Sequence, residues 1–156
     1  MNLKRSLADV NDSDVNVKVD KGVVLISLSD NMLYKSGSAE ISPKAGSVLS
    51  KIAQVINDYS TFDVLIEGNT DNVPISNSCI ADNWDLSVKR ATAIARVLQT
   101  KYGVNPSRII AGGRSEYNPK VANDTPKNKS INRRTEIIIM PKLDEFFKLL
   151  EIQPAK

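Results

Sequence analysis

The sequence predicts a single α+β domain, a two-layer sandwich in which helices pack on a mixed β-sheet. Two amphipathic helices separate short apolar strands along the chain, so some strands must be joined by crossover connections. The 156 residues are 41% hydrophobic and 25% charged, which suits one globular core and excludes a disordered chain. We expect the domain to span residues 13–152 and residues 1–12 to form a disordered tail.

The chain opens with a predicted β-hairpin. Residues 15–20 alternate apolar and polar side chains, which is typical of a half-buried strand. A second apolar run over residues 23–28 predicts the partner strand, and Lys21 and Gly22 between them form the predicted turn.

Two long amphipathic helices are predicted after the hairpin. The Ser-Pro pair at 42–43 is a typical helix start, with serine as N-cap, and an apolar stripe at helical spacing continues to Tyr59. The second helix is predicted to begin near Asn83, which we expect to cap it, and to run to Tyr102. Gly103 then ends it.

Short apolar runs predict three further strands, at residues 62–67, 108–111 and 134–140. The last contains consecutive isoleucines at 137–139, which predict a central strand buried on both faces. Residues 112–132 are predicted to be a long, turn-rich connection, and a short amphipathic helix over residues 143–150 closes the chain.

The composition excludes several classes of function. The chain has no histidine, which removes the commonest catalytic base and the commonest metal ligand. Cys79 is the single cysteine, so an internal disulfide or a zinc cluster is excluded, and we expect a free thiol. We therefore expect no catalytic residues, no metal and no cofactor, and interpret the protein as a non-enzyme.

The charge is unevenly distributed. Residues 86–134 contain eleven basic and two acidic residues, although the whole chain carries a net charge of only +3. A nucleic-acid module is one interpretation of this segment. The basic residues are scattered over helix, strand and loop without a nucleic-acid-binding motif, so solvated faces are favoured and no nucleic-acid partner is expected.

An acid and a base are candidates for a binding site. Asp71 is the only acid of the loop 68–72, which leaves the end of a buried strand, and its alternative role is an Asx-turn. Arg90 lies at the edge of the helical stripe, about two turns from the helix start. Together they could bind a zwitterion, but periodicity alone slightly favours a direct Asp71–Arg90 salt bridge.

Four segments resemble the OmpA-like domain, namely VLIEGNTDNVPI, NWDLSVKRATAIARVLQ, GVNPSRIIAGGRSEYNP and NRRTEIIIM. This family is the periplasmic peptidoglycan-binding module of outer-membrane protein A, of peptidoglycan-associated lipoprotein and of the flagellar stator B subunit. The likeness runs over residues 23–140. It implies non-covalent binding of peptidoglycan that tethers the outer membrane, or an envelope complex, to the cell wall. The alternatives are a stator-type domain anchoring a motor and a scaffold that has lost its ligand.

The resemblance also implies a site. Asp71 and Arg90 occupy the positions that hold the diaminopimelate of the peptidoglycan stem peptide in the family. The same pocket would be lined by Thr70, Asn72, Asn83 and Arg133. Arg134 would face the other way as a structural partner.

The implied location is the periplasm, facing the cell wall, with membrane attachment only through a segment missing from this chain; a homodimer is left open. The sequence departs from the family at three places. Asn69 replaces the usual histidine, which either orients the loop or contacts the ligand. Asn128 and Lys129 replace a glycine–arginine pair, and the insertion 73–82 is longer than in the simplest members.

Overall fold

A computed structural model describes residues 15–35 and 38–142. The predicted tail at 1–12 and the predicted helix at 143–150 lie outside these residues. The elements, in chain order, are β1 Val15–Asp20, β2 Val23–Ser29, α1 Asp30–Leu33, α2 Ala45–Asp58, β3 Phe62–Asn69, α3 Asn83–Thr100, β4 Ile109–Gly113, α4 Pro126–Asn132 and β5 Arg134–Pro141. A 3-10 turn, Pro106–Arg108, precedes β4.

The strands form one mixed sheet in the order β1-β2-β5-β3-β4. β3 and β4 are parallel, because α3 carries the chain back across the sheet between them, and the other neighbours are antiparallel. The predicted hairpin is confirmed, with Lys21 and Gly22 both at positive φ, as a tight two-residue hairpin turn requires. The predicted fold class is therefore confirmed.

The two faces of the sheet differ in burial. Ile26, Ile66 and Ile137 lie side by side on neighbouring strands and are fully buried in the core with the apolar stripes of α2 and α3. Ile138 points to the opposite face and is only half-buried. The central strand is therefore buried on both faces only near its start, where Arg134 and Glu136 on that opposite face are buried, and the prediction fails from Ile138 onwards.

α3 begins at Asn83 as predicted, whereas the predicted start of α2 and both predicted N-caps are wrong. α2 begins at Ala45, because the Ser42 hydroxyl donates to the carbonyl of Met32 (2.6 Å) instead of capping the helix. α3 is capped by Asp82, whose carboxylate accepts the backbone N–H of Asp85, and not by Asn83. In both cases the residue expected to cap the helix donates instead to the backbone of another segment.

The predicted connection 112–132 contains one helix that the sequence analysis missed. α4 begins with Thr125 as N-cap, whose hydroxyl accepts the N–H of Asn128 (3.0 Å), and with Pro126 in its first turn. A threonine–proline pair is itself a helix-start signal. The helix has only seven residues and lacks an apolar stripe, so periodicity could not reveal it.

Two glycines bring α3 close to the sheet. A Cβ on Gly68 would lie 2.1 Å from the backbone oxygen of Ser87, and one on Gly113 would lie 2.2 Å from the Ser87 hydroxyl. The helix therefore rests directly on the ends of β3 and β4. None of the helices described between residues 15 and 142 combines the length and apolar character needed to span a membrane.

Candidate functional site

The sheet register brings three distant segments together. Ser29 at the end of β2 and Asn69 at the end of β3 both pair with Arg134 at the start of β5. The residues that follow β2 and β3, and those that precede β5, therefore meet at one end of the sheet. Asp30 and Arg133 are joined there by a backbone hydrogen bond, from the N–H of Asp30 to the carbonyl of Arg133 (3.1 Å).

Two carboxylates and two guanidiniums meet at this end and form what we call the charge cluster, consisting of Asp30, Asp71, Arg90 and Arg133. Arg133 Nη1 lies 2.6 Å from Asp71 Oδ2, and its Nε lies 3.7 Å from Asp30 Oδ2. Arg90 Nη1 contacts Asp30 Oδ1. The cluster is neutral as a whole, which lowers the cost of burying it.

The pairing differs from that expected from helical periodicity. Asp71 pairs with Arg133 and Arg90 pairs with Asp30, so the direct Asp71–Arg90 salt bridge was the wrong prediction. The Asx-turn is confirmed, because Asp71 Oδ1 accepts the N–H of Val73 (3.0 Å). Asp71 therefore uses one oxygen for its own loop and the other for the charge cluster.

Arg90 is held on several sides, and its side chain is only 4% exposed. Its Nε donates to the carbonyl of Ser38 (2.9 Å), and its guanidinium lies 4.8 Å from the centre of the Tyr34 ring. The Tyr34 hydroxyl donates to the backbone carbonyl of Arg90 (3.0 Å). This packing fixes the direction of the guanidinium.

The other residues implied by the resemblance surround the Asp71 loop. The Thr70 hydroxyl donates to the carbonyl of Asp71 (2.8 Å). The side-chain amide of Asn83 donates to the carbonyls of Asp71 (3.4 Å) and Val73 (3.1 Å). Asn72 is exposed beside them. Thr70 and Asn83 thus shape the loop that presents the Asp71 carboxylate.

The departures from the family pattern have local explanations. Asn69 is buried, and its amide donates to Glu67 (3.3 Å), which is the arrangement expected of a loop-orienting residue. Asn128 lies inside α4, where no positive φ is needed.

Arg134 points away from the charge cluster to Glu136 (2.7 Å), as expected for alternate residues of a strand.

Asp30 and Tyr34 were not among the residues predicted from the sequence. Asp30 comes directly after a strand and is the only acid between Asp20 and Glu40, which was a usable signal. Its partners in the charge cluster are distant in sequence, so the pairing itself could not be read from the chain.

Burial raises the pKa of Asp30 above the ordinary value of an aspartate, although Arg90 and Arg133 oppose this shift. The folded protein therefore binds this proton more tightly than the unfolded chain does. We expect the free energy of unfolding to fall as pH rises from about 4 through the folded pKa. Asp30→Asn should remove the part of this pH dependence that is due to Asp30, as measured by urea denaturation at several pH values. An unchanged pH dependence of the free energy of unfolding in the variant would contradict the prediction.

Within the residues that the structure describes, no three histidine, cysteine, aspartate or glutamate side chains are grouped in a way that could hold a metal ion. Cys79 is a free, exposed thiol in the loop before α3, as expected.

These observations define a small α+β domain with a buried, neutral charge cluster at one end of a five-stranded sheet. The chain belongs to the OmpA family, whose model matches residues 33–133. The matched segment contains Asp71, Arg90 and Arg133 but begins after Asp30.

Known relatives support this assignment. The chain is 31% identical over 128 residues to Motility protein B of Bacillus subtilis, covering 82% of this chain and 49% of that protein. It thus spans about half the length of this curated relative.

Solved structures share the fold. The cell wall anchor of the T6SS from Pseudomonas aeruginosa superposes with a TM-score of 0.82 and 30% identity, covering 90% of this chain and 98% of that one. A MotB-like protein from Desulfovibrio vulgaris gives the same TM-score at 25% identity, covering 90% of both chains. None of these three proteins is named as an enzyme.

Proposed function

We propose that this domain binds cell-wall peptidoglycan without covalent chemistry, through the diaminopimelate of the stem peptide. The observation that carries the proposal is the neutral charge cluster, in which Asp71 and Arg90 stand beside a second acid and a second base. Membership of the OmpA family and the likeness to a cell wall anchor support it. Thr70, Asn72 and Asn83 complete the proposed site around Asp71.

The charge balance favours a zwitterionic ligand. The free end of diaminopimelate carries both an ammonium and a carboxylate, so its entry adds no net charge to a neutral, buried cluster. The carboxylates of Asp71 and Asp30 accept from the ammonium, and the guanidiniums of Arg90 and Arg133 donate to the carboxylate. The side chain of lysine brings only an ammonium, which leaves one net charge buried.

Arg133 is the accessible member of the charge cluster. Its side chain is 31% exposed, whereas those of Asp71 and Arg90 are 8% and 4% exposed. A ligand therefore meets Arg133 first, and the 2.6 Å contact between Arg133 and Asp71 must open or be shared for an ammonium to reach Asp71.

The test compares Asp71→Asn with the parent protein by calorimetric titration of a diaminopimelate tripeptide. Asparagine keeps an oxygen for the Val73 N–H and loses the charge, so the fold should persist. A charged hydrogen bond contributes about 1.5–3 kcal/mol, so we expect affinity to fall about 10- to 100-fold. The parent should also bind the matching lysine tripeptide about tenfold more weakly.

Asp58→Asn is the matched control, because Asp58 is exposed at the end of α2 and the change removes the same charge. It should leave the affinity unchanged. Equal affinities of Asp71→Asn and the parent, or no discrimination between the two tripeptides, would overturn the proposed recognition of diaminopimelate. No binding to any stem peptide would favour a scaffold that has lost its ligand.

Two or three charged contacts, reduced by the cost of association, imply dissociation constants of about micromolar to millimolar for a single site. Attachment to the cell wall then depends on many copies binding one polymer. We place the domain in the periplasm, facing the cell wall, as the tether of an outer-membrane protein or envelope complex. The alternative is a domain that anchors a motor complex to the cell wall, and the similarity to Motility protein B favours it.

A further inference from the structure

A cavity of about 350 Å³, lined mostly by polar and charged residues, adjoins the charge cluster. Asp30 and Arg133 line one part of it, while Ser27 and Lys120 line another part. This volume falls within the usual range of small-ligand sites. Ser27 lies near the end of β2 and Asp30 directly follows that strand, so the two are three residues apart, which is about 10 Å of extended chain. The cavity can therefore hold peptide units that continue from a residue bound at the charge cluster.

Among the residues that the structure describes, Lys120 is the cation of this cavity that has no carboxylate in direct contact. Arg134 is paired with Glu136 (2.7 Å) and Arg133 with Asp71 (2.6 Å). Lys120 Nζ instead donates to the Ser27 hydroxyl (3.3 Å). An additional anion in the cavity would thus find Lys120 available.

The backbone at Lys120 is fixed. Its N–H donates to the side-chain oxygen of Asn132 (2.9 Å), and so does the N–H of Val121 (3.1 Å). Asn132 is fully buried and directly precedes Arg133. The same side chain therefore sets the spacing between Lys120 and the charge cluster.

The electrostatics of the cavity agree with this role. Burial lowers the pKa of Lys120, and the positive charges of Arg134 and Lys18 lower it further. The negative charge of Glu136 opposes this shift, but its effect is smaller than that of burial. A carboxylate beside the ammonium would reverse this shift.

We propose that the cavity binds a free carboxylate of a stem-peptide residue adjacent to the diaminopimelate, with Lys120 as its cationic partner. This rests on the proposed function. Two residues can supply the carboxylate: the γ-linked glutamate before the diaminopimelate, through its α-carboxylate, or the alanine after it, through its C-terminus.

Two pairs of peptides distinguish these sources. The first pair is L-alanyl-γ-D-glutamyl-diaminopimelate with the glutamate α-carboxylate free or amidated. The second is diaminopimelyl-D-alanine with its C-terminus free or amidated. We expect one free acid to bind about three- to fivefold more tightly than its amide, the range for a partly exposed ion pair. The advantage should shrink in high salt.

Lys120→Gln should abolish that advantage, because it lowers the affinity for the free acid to about that for the amide. Lys127→Gln is the matched control, because Lys127 is exposed on α4 and lies outside the lining of the cavity. It should retain the parent's advantage.

Equal affinities for acid and amide in both pairs would overturn the inference while leaving the proposed function intact, since the peptides still bind. An advantage that survives Lys120→Gln would overturn it as well. Failure of every peptide to bind would overturn the proposed function and this inference together.

Discussion

Arg90→Ala is expected to lower the free energy of unfolding by about 3–5 kcal/mol at neutral pH, the usual cost of removing one partner of a buried ion pair. Asp30 is 8% exposed and would keep only the longer 3.7 Å contact with Arg133. The loss should shrink towards pH 4, where Asp30 takes up a proton and no longer buries a charge. Urea denaturation at neutral and acidic pH measures both effects.

The double variant Arg90→Ala with Asp30→Asn should recover part of the stability, because it removes the unpaired charge. Arg96→Ala is the matched control on the same helix. Arg96 is exposed, so its loss should cost less than about 0.5 kcal/mol. Equal costs for the Arg90 and Arg96 variants, or no recovery in the double variant, would show that the pair does not support the fold.

Gly68→Ala is expected to destabilise the protein by about 3 kcal/mol and to weaken ligand binding. The added methyl would lie 2.1 Å from the backbone oxygen of Ser87, which cannot move without displacing α3. The helix carries Arg90, whereas β3 leads into the Asp71 loop, so separating them widens the proposed site. Denaturation and peptide titration should therefore change together.

Gly112→Ala is the matched control in the neighbouring strand. A Cβ at Gly112 would meet no atom within 4 Å, so stability should change by less than about 0.5 kcal/mol and binding should be unaffected. If the two alanine variants were equally stable, the close approach of α3 to the sheet would not be required.

The sequence analysis predicted the strands of the hairpin and the central strands to within a few residues. These elements are predicted by local patterns, such as the alternation in β1 and the apolar run of β3, and the folded protein has strands at both places. The helix N-caps were predicted less accurately than the helices themselves. Ser42 and Asn83 are good caps by residue type, but each donates instead to a segment that periodicity cannot locate.

The members of the charge cluster could be predicted only in part from the sequence. Asp71 could be singled out as the lone acid of its loop, and Arg90 could be placed at the edge of the helical stripe. Asp30 was missed, because its importance follows from antiparallel pairing between β2 and β5, which are about a hundred residues apart. No local sequence pattern predicts the register between β2 and β5.

The sequence by itself therefore determined the fold class, the lack of histidine chemistry and the two candidate residues Asp71 and Arg90. Only the tertiary structure decided that Asp71 pairs with Arg133 and Arg90 with Asp30. Side-chain periodicity shows which face a residue occupies within its own element. The partner of a buried charge depends on how strands register and how closely a helix approaches the sheet, and these follow from packing of the whole core.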